Sequence, residues 1–303
     1  MVSVHLETFL NKPVQNYAPP TTIEPDKYVY RLRVDYDDES VTITDLLEAF
    51  VRDPRSAEVT ELIIGMFNTE VSESSFEVVD KLVALKDNFK ELKALFIGDI
   101  TYEECEISWI MQTDITPILK AFPQLEHLQI RGGTGLDFSE LAHDKLTTLI
   151  IETGGMDPDV VQQVNAARLP NLQKLELWLG SNNYGFNSTI EDFKPILSGT
   201  LFPKLTWLGL MDSVIQDDIA IAVADAPVLK QLTELDLSMG VLTDKGAAAL
   251  LKSEGIRKLQ HLNLRHHFLS EAMMEQLRAL GISINLEDKE EEDDDYRYVE
   301  VAE

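Results

Sequence analysis

Short stretches of this chain alternate apolar and polar residues, and in each of them three aliphatic residues follow the spacing Leu-x-x-Leu-x-Leu. Clear copies begin at Leu205, Leu232 and Leu259, so two equal intervals of 27 residues separate them. Further copies begin at Leu172, Leu146, Leu125 and Leu92, and a degenerate copy begins at Val59. A motif that recurs at a fixed interval of roughly 20 to 50 residues is typical of a solenoid, in which each copy forms one layer. The interval of 27 residues falls within this range.

Each copy predicts a short strand followed by a helix. The alternation in Leu235-Asp236-Leu237 sends the leucines to one face of the strand and the intervening residue to the other. An acidic or hydroxyl residue after the turn predicts a helix start at Asp157, Thr189, Thr243 and Ser270. Because strands pack about 4.8 Å apart and helices about 10 Å apart, such layers curve with the strands inside. We therefore predict an α/β fold, a right-handed horseshoe solenoid with a parallel concave sheet and helices on the convex side.

The solenoid is predicted over residues 59–286, with about eight copies and a terminal strand at Ile282 to Leu286. Residues 1–58 predict an N-terminal cap, with a strand at Tyr28 to Tyr36 and a helix at Thr44 to Arg52. Residues 287–303 are mostly acidic and predict a flexible tail, because they bury too little apolar surface to order themselves. Some apolar side chains of this tail are able to fold back onto the solenoid: Tyr296, Tyr298, Val299 and Val301.

The copy that begins at Leu232 resembles the ribonuclease-inhibitor type of leucine-rich repeat. In that type a small turn residue follows the third leucine, and Leu-Thr-Asp-x-Gly opens the helix. The residues in those places here are Gly240, Leu242, Thr243, Asp244 and Gly246. The resemblance extends over roughly residues 55–286 and implies the leucine-rich-repeat fold.

A second resemblance is to a family of uncharacterised bacterial leucine-rich-repeat proteins. It rests on a segment near the start of the chain and on a short tyrosine-and-valine segment near its end: His5, Leu6, Phe9, Pro13, Val14 and Tyr298 to Glu303. Neither resemblance implies an activity or assigns a site residue.

The chain is strongly acidic, with a formal net charge of -27 from 53 acidic and 26 basic residues. A field of this sign repels phosphate backbones and anionic lipid headgroups, so we expect neither nucleic acid nor a membrane as a partner. It attracts a protein with a basic surface. Cys105 is the single cysteine, and the first residues lack the basic and apolar blocks of a secretory signal, so we expect a cytoplasmic protein.

The concave face of such a solenoid presents its variable residues. Trp178 and Trp207 fall on neighbouring predicted strands, and Gly209 leaves room between them. Two exposed indoles side by side are typical of an interaction hot spot, and acids around them favour a basic rim on the partner. The alternative is that a loop folds over the indoles. The predicted protein-binding surface of this face comprises Trp178, Trp207, Met211, Glu176, Glu234, Asp236, Arg131 and Glu152.

Two predicted turns carry extra residues, and insertions into a regular array mark loops that often determine specificity. In residues 181–188 we expect Tyr184 and Phe186 to contact the partner; the alternative is that both plug the rim of the solenoid. In residues 99–112 we expect the apolar residues, Trp109 and Ile110 among them, to be buried.

No residue pattern points to catalysis or to a bound cofactor. Glu103, Glu104 and Glu106 surround Cys105 and are expected to raise the pKa of its thiol, which lowers its nucleophilicity. Three histidines fall in one layer but need not converge on a metal: His261, His266 and His267.

The sequence therefore predicts a non-enzymatic scaffold that binds a protein and holds neither a metal nor a cofactor. Two alternatives stay open. One is an accessory subunit that presents a substrate to an enzyme, and the other is a catalytic site on the rim, formed by residues distant in sequence.

Overall fold

The computed structural model describes residues 2–35, 40–68, 73–293 and 296–302. Tyr36 of the predicted first strand and Asp294, Asp295 and Glu303 of the predicted tail lie outside these residues. The chain divides into two compact units, Met1–Thr148 with Ala167–Leu169 and Leu149–Ala166 with Pro170–Ala302. In each unit short strands alternate with helices.

The first unit begins with an antiparallel hairpin of β1 and β2. Strands β2 to β6 then pair in parallel, each with the next in the chain. The strands are β1 (Thr8–Phe9), β2 (Lys12–Asn16), β3 (Val29–Leu32), β4 (Glu61–Ile64), β5 (Ala94–Ile97) and β6 (His127–Arg131). The α-helices are α1 (Ile43–Val51), α2 (Phe76–Ala84) and α3 (Thr116–Ala121).

The second unit repeats this arrangement, and β8 to β12 also pair in parallel in chain order. Its strands are β7 (Thr148–Glu152), β8 (Lys174–Gly180), β9 (Trp207–Ser213), β10 (Glu234–Asp236), β11 (His261–Asn263) and β12 (Ser283–Asn285). Its α-helices are α4 (Pro158–Asn165), α5 (Lys194–Leu197), α6 (Gln216–Ala224), α7 (Asp244–Lys252) and α8 (Glu271–Arg278).

The repeated leucines stack in register from strand to strand. Leu208 lies opposite Leu175 on one side and Leu235 on the other, and Leu262 lies opposite Leu235. All four are buried, and each buried leucine contributes about 1.5 to 3 kcal/mol. These ladders confirm the predicted fold class, an α/β leucine-rich-repeat solenoid with a largely parallel sheet.

The helices begin where the capping residues predicted them. Side-chain oxygens of Asp157, Thr243 and Ser270 each accept a hydrogen bond from a backbone N–H in the first turn of α4, α7 and α8. Such bonds satisfy donors that the helix itself leaves free. Within the described residues, every helix is too short or too polar to cross a lipid bilayer.

The ends of the solenoid agree with the sequence pattern in part. Strand β3 and helix α1 lie where the cap was expected to have a strand and a helix, and β12 is the terminal strand. The hairpin of β1 and β2, residues 8–16, was not predicted. The predicted domain boundaries at residues 58 and 286 stay predictions.

The segment 296–302 lies against the second unit. The backbone N–H of Glu300 donates to the carbonyl oxygen of Met239 at 2.8 Å, and that of Val301 donates to Oδ1 of Asp212 at 2.9 Å. The side chains of Val299 and Val301 are buried, so these two residues of the predicted tail fold back, whereas those of Tyr296 and Tyr298 are exposed. Burial raises the pKa of Asp212 well above its ordinary value.

Candidate functional site

Residues that alternate with the core leucines lie on the sheet face opposite the core, here called the variable face. In strands β3 to β6 of the first unit the variable face includes Val29, Arg31, Glu61, Ile63, Ala94, Phe96, His127 and Gln129, all of them buried except Glu61, which is partly exposed. In the second unit it comprises Lys174, Glu176, Trp178, Trp207, Gly209, Met211, Glu234 and Asp236. Of these, Lys174, Glu176, Trp178, Trp207 and Glu234 are partly exposed.

The hairpin of residues 8–16 covers the variable face of the first unit. Phe9 packs against Ile63 and Phe96, and its ring stacks on that of Phe96 with a centroid distance of 6.4 Å. The same ring meets the edge of His127 at 5.2 Å. The variable face of the first unit is therefore an internal core.

A buried ion pair lies beside this core. Nε of Arg31 donates to Oδ2 of Asp99 at 2.6 Å, and Arg131 lies 3.6 Å from the other carboxylate oxygen. Burial alone would raise the pKa of Asp99, but the hydrogen bond from His5 and the charges of both arginines outweigh it and lower the pKa. Hydrogen bonds to Asp99 and Glu104 in turn raise the pKa of His5 to about 9.

In the second unit the indole of Trp207 lies across Gly209. A Cβ atom at Gly209 would come within 2.7 Å of the indole carbon Cζ3 and 3.1 Å of the sulfur of Met211. Glycine is thus required for this close approach. Nζ of Lys174, on the neighbouring strand, lies 4.0 Å from the centroid of the same indole, within the range of a cation–π contact.

Glu176 fixes the second indole. Its Oε1 accepts a hydrogen bond from Nε1 of Trp178 at 2.9 Å, while its Oε2 pairs with Nζ of Lys174 at 2.9 Å. One carboxylate therefore links both tryptophans, directly and through Lys174. The indole site is defined as Lys174, Glu176, Trp178, Trp207, Gly209, Met211 and Glu234.

Asp236, predicted as one of the acids around the two indoles, forms its hydrogen bonds within the protein. It accepts hydrogen bonds from the N–H and hydroxyl of Ser238 at 3.0 and 2.6 Å and from Nδ2 of Asn263 at 2.8 Å. Its side chain is buried, and burial raises its pKa above the ordinary value. The acids that reach solvent at the indole site are Glu176 and Glu234.

Other predicted contact residues lie deeper. Met211, Arg131 and Glu152 are buried, and the side chain of Phe186 is only 1% exposed. For Phe186, though not for Tyr184, burial agrees with the alternative that the loop plugs the rim of the solenoid. Tyr184 stays partly exposed at the end of the short helix Asn182–Tyr184.

The expectation that Trp109 is buried is wrong, because its side chain is 58% exposed. It lies in the 3₁₀-helix Ile107–Trp109, in which residues three apart share a face. Ile107 and Ile110 are three apart and both are buried, so Trp109 points away from the core. The apolar composition of the loop did not reveal this three-residue period.

Comparison with solved structures finds a clear relative. The crystal structure of a Bacteroides fragilis protein, a structural genomics target, is 33% identical, has a TM-score of 0.83, and matches over 91% of this chain and 78% of that one. The chain belongs to the family of this Bacteroides fragilis protein. An internalin from Listeria monocytogenes is 13% identical with a TM-score of 0.39, over 88% of this chain and 62% of the internalin. No family model and no curated protein matches.

The segment from His5 to Val14, on which the second sequence resemblance partly rested, has a structural role in this family member. Leu6, Phe9 and Val14 pack together over the variable face of the first unit. His5 of the same segment pairs with Glu104 at 3.2 Å. The ribonuclease-inhibitor subtype of the repeat stays a prediction.

The thiol of Cys105 is poorly suited to act as a nucleophile in this family member. Cys105 is partly buried, and burial is the largest cause that raises the pKa of its thiol, followed by the charges of Glu106 and Glu104. The sequence predicted the effect of the acids. It did not predict the burial, which depends on tertiary packing.

The three histidines of the last repeats have separate partners. His261 shares a hydrogen bond with the hydroxyl of Ser283 at 2.9 Å. The ring of His266 meets the carbonyl of Tyr298 at 3.1 Å, and that of His267 meets the carbonyl of Leu286 at 3.3 Å. Over the described ranges, no three His, Cys, Asp or Glu side chains are grouped so as to hold a metal ion.

Proposed function

We propose that the protein is a non-enzymatic scaffold that binds a protein partner at the indole site of its second unit. The observation that carries the proposal is the contrast between the two variable faces. The apolar residues of the first are buried, whereas Trp178 and Trp207 of the second are partly exposed on adjacent strands. Rigid aromatic side chains bury a large area on binding at a low cost in conformational entropy, which favours a partner contact here.

The proposed contact residues divide into two groups. Trp178, Trp207, Glu176, Glu234 and Tyr184 reach solvent and would touch the partner. The other members of the predicted surface are buried: Met211, Asp236, Arg131, Glu152 and Phe186. The net charge of -27 favours a basic surface on the partner. A cytoplasmic location and the exclusion of nucleic acid and membranes stay predictions.

Capture of partners from the native cell tests the proposal. The double variant Trp178→Ala and Trp207→Ala should lose the proteins that the wild-type chain retains, because both indoles are removed from the site. Trp109→Ala is the matched control, since it removes an exposed tryptophan of the first unit. Thermal unfolding of all three proteins checks that each remains folded.

Retention of the same proteins by the double variant would contradict the proposal. The identity of the captured protein then separates the two binding roles. An enzyme that co-purifies in a tryptophan-dependent way favours the accessory role, in which the scaffold presents a substrate.

A further inference from the structure

The ammonium group of Lys174, in the same chain, lies over the indole of Trp207. Nζ of Lys174 lies 4.0 Å from the ring centroid, close enough for the charge to interact with the electron-rich ring face. The Lys174 side chain is 33% exposed and is held at its tip by Glu176. A partly exposed ion pair of this kind is weak, and the lysine stem is flexible, so the ammonium can leave the ring at low cost.

The site carries more negative than positive charge. Glu176 divides its two oxygens between Trp178 and Lys174, so its carboxylate is oriented before any partner arrives. Glu234 lies opposite Trp207 in the strand register and is partly exposed. Within the part of the chain that the structure describes, the Glu234 carboxylate has no hydrogen bond or ion pair. One lysine therefore faces two solvent-accessible acids.

We propose that the indole site takes a cationic side chain of the partner, which replaces Lys174 on the indole of Trp207 and pairs with Glu176 and Glu234. The inference rests on the proposed function and adds the chemistry of the bound group. Arginine fits best, because its planar guanidinium stacks on an aromatic face and bonds two carboxylate oxygens at once. Lys174 is the internal competitor that occupies this position in the free protein.

A capped hexa-arginine peptide is the probe, titrated into the full chain by calorimetry at physiological salt. A hexa-citrulline peptide of the same length is the neutral control, since citrulline has nearly the shape of arginine without its charge. We expect binding of the arginine peptide and a loss of at least roughly tenfold in affinity for the citrulline peptide.

Two substitutions, each with a matched control, distinguish binding at the indole site from the long-range attraction of an acidic protein. Lys174→Met should tighten binding of the arginine peptide roughly fivefold, because the internal competitor is gone. Lys204→Met removes the same charge from an exposed lysine that bonds Asn171, and it should have a much smaller effect. Trp207→Leu keeps the charge and should weaken binding roughly fivefold, whereas Trp109→Leu should not.

Equal affinities of Lys174→Met and Lys204→Met would overturn the inference, since charge alone would then explain the binding. Equal binding of the arginine and citrulline peptides would overturn it as well, because the charge would then play no part. Neither result touches the proposed function, which fails only when the double tryptophan variant still captures the native partner.

Discussion

The two units of this protein share one repeat but differ at the variable face. In the first unit Ile63 and Phe96 are completely buried beneath Phe9 of the hairpin. In the second unit Trp178 and Trp207 occupy the same face and remain partly exposed. The repeat thus fixes which face a residue points to, whereas a neighbouring chain segment decides whether that face meets solvent.

The charged residues of the two faces differ in the same way. The pair of Arg31 and Asp99 in the first unit is removed from water, and such a pair is costly to break. The pair of Lys174 and Glu176 in the second unit reaches solvent and is cheap to exchange. A buried ion pair therefore holds a segment in place, while an exposed one leaves the surface open to a competitor.

The largest expected change in stability comes from removing the ring that covers the variable face of the first unit. Phe9→Ala should lower the free energy of unfolding by about 4 kcal/mol, because it removes a buried ring and leaves a cavity over Ile63 and Phe96. Val4→Ala, on the same segment at a side chain that is 72% exposed, should change it by less than about 0.5 kcal/mol. Urea unfolding measures both. A loss below about 1 kcal/mol for Phe9→Ala would show that the hairpin is not part of the core.

The second comparison sets a buried charge against an exposed one. Asp99→Asn should cost about 3 kcal/mol, because it leaves the buried guanidinium of Arg31 without its carboxylate partner. Arg265→Met breaks pairs with Asp288 and Glu300 that are partly exposed in the second unit, and should cost about 0.5 kcal/mol. Similar losses in urea unfolding would mean that burial does not distinguish the two units.

Much of the fold follows from the sequence because the repeat is a local pattern with a fixed consequence. Leu208, Leu235 and Leu262 predicted a stack, and the strands pair in that register. Thr243 and Ser270 predicted helix starts through their side-chain oxygens, and both accept the expected hydrogen bonds. Each of these features depends only on residues that are close in the chain or lie in the neighbouring repeat.

The sequence was less informative about what covers the sheet. Phe9 lies outside the repeated motif, and nothing in its neighbourhood reveals that it packs against Phe96, far away in the chain. From the composition of their loops, Phe186 was expected to contact the partner and Trp109 to be buried. In the structure Phe186 is buried and Trp109 is exposed. Exposure of a loop residue depends on tertiary contacts, which a periodic pattern does not encode.

The smallest expected effect is the pH dependence that His5 of the first unit contributes to stability. Hydrogen bonds to Asp99 and Glu104 raise the pKa of His5 from 6.5 to about 9, so folding favours the protonated ring. Its contribution is fully present below pH 6.5 and is lost as the pH rises through about 9. The side chain is partly exposed, so solvent screening keeps the effect near or below about 1 kcal/mol. The difference in unfolding free energy between wild type and His5→Gln should therefore shrink from about pH 6 to about pH 9.5 in urea titrations; a difference that stays constant would mean that His5 binds its neighbours without a charge.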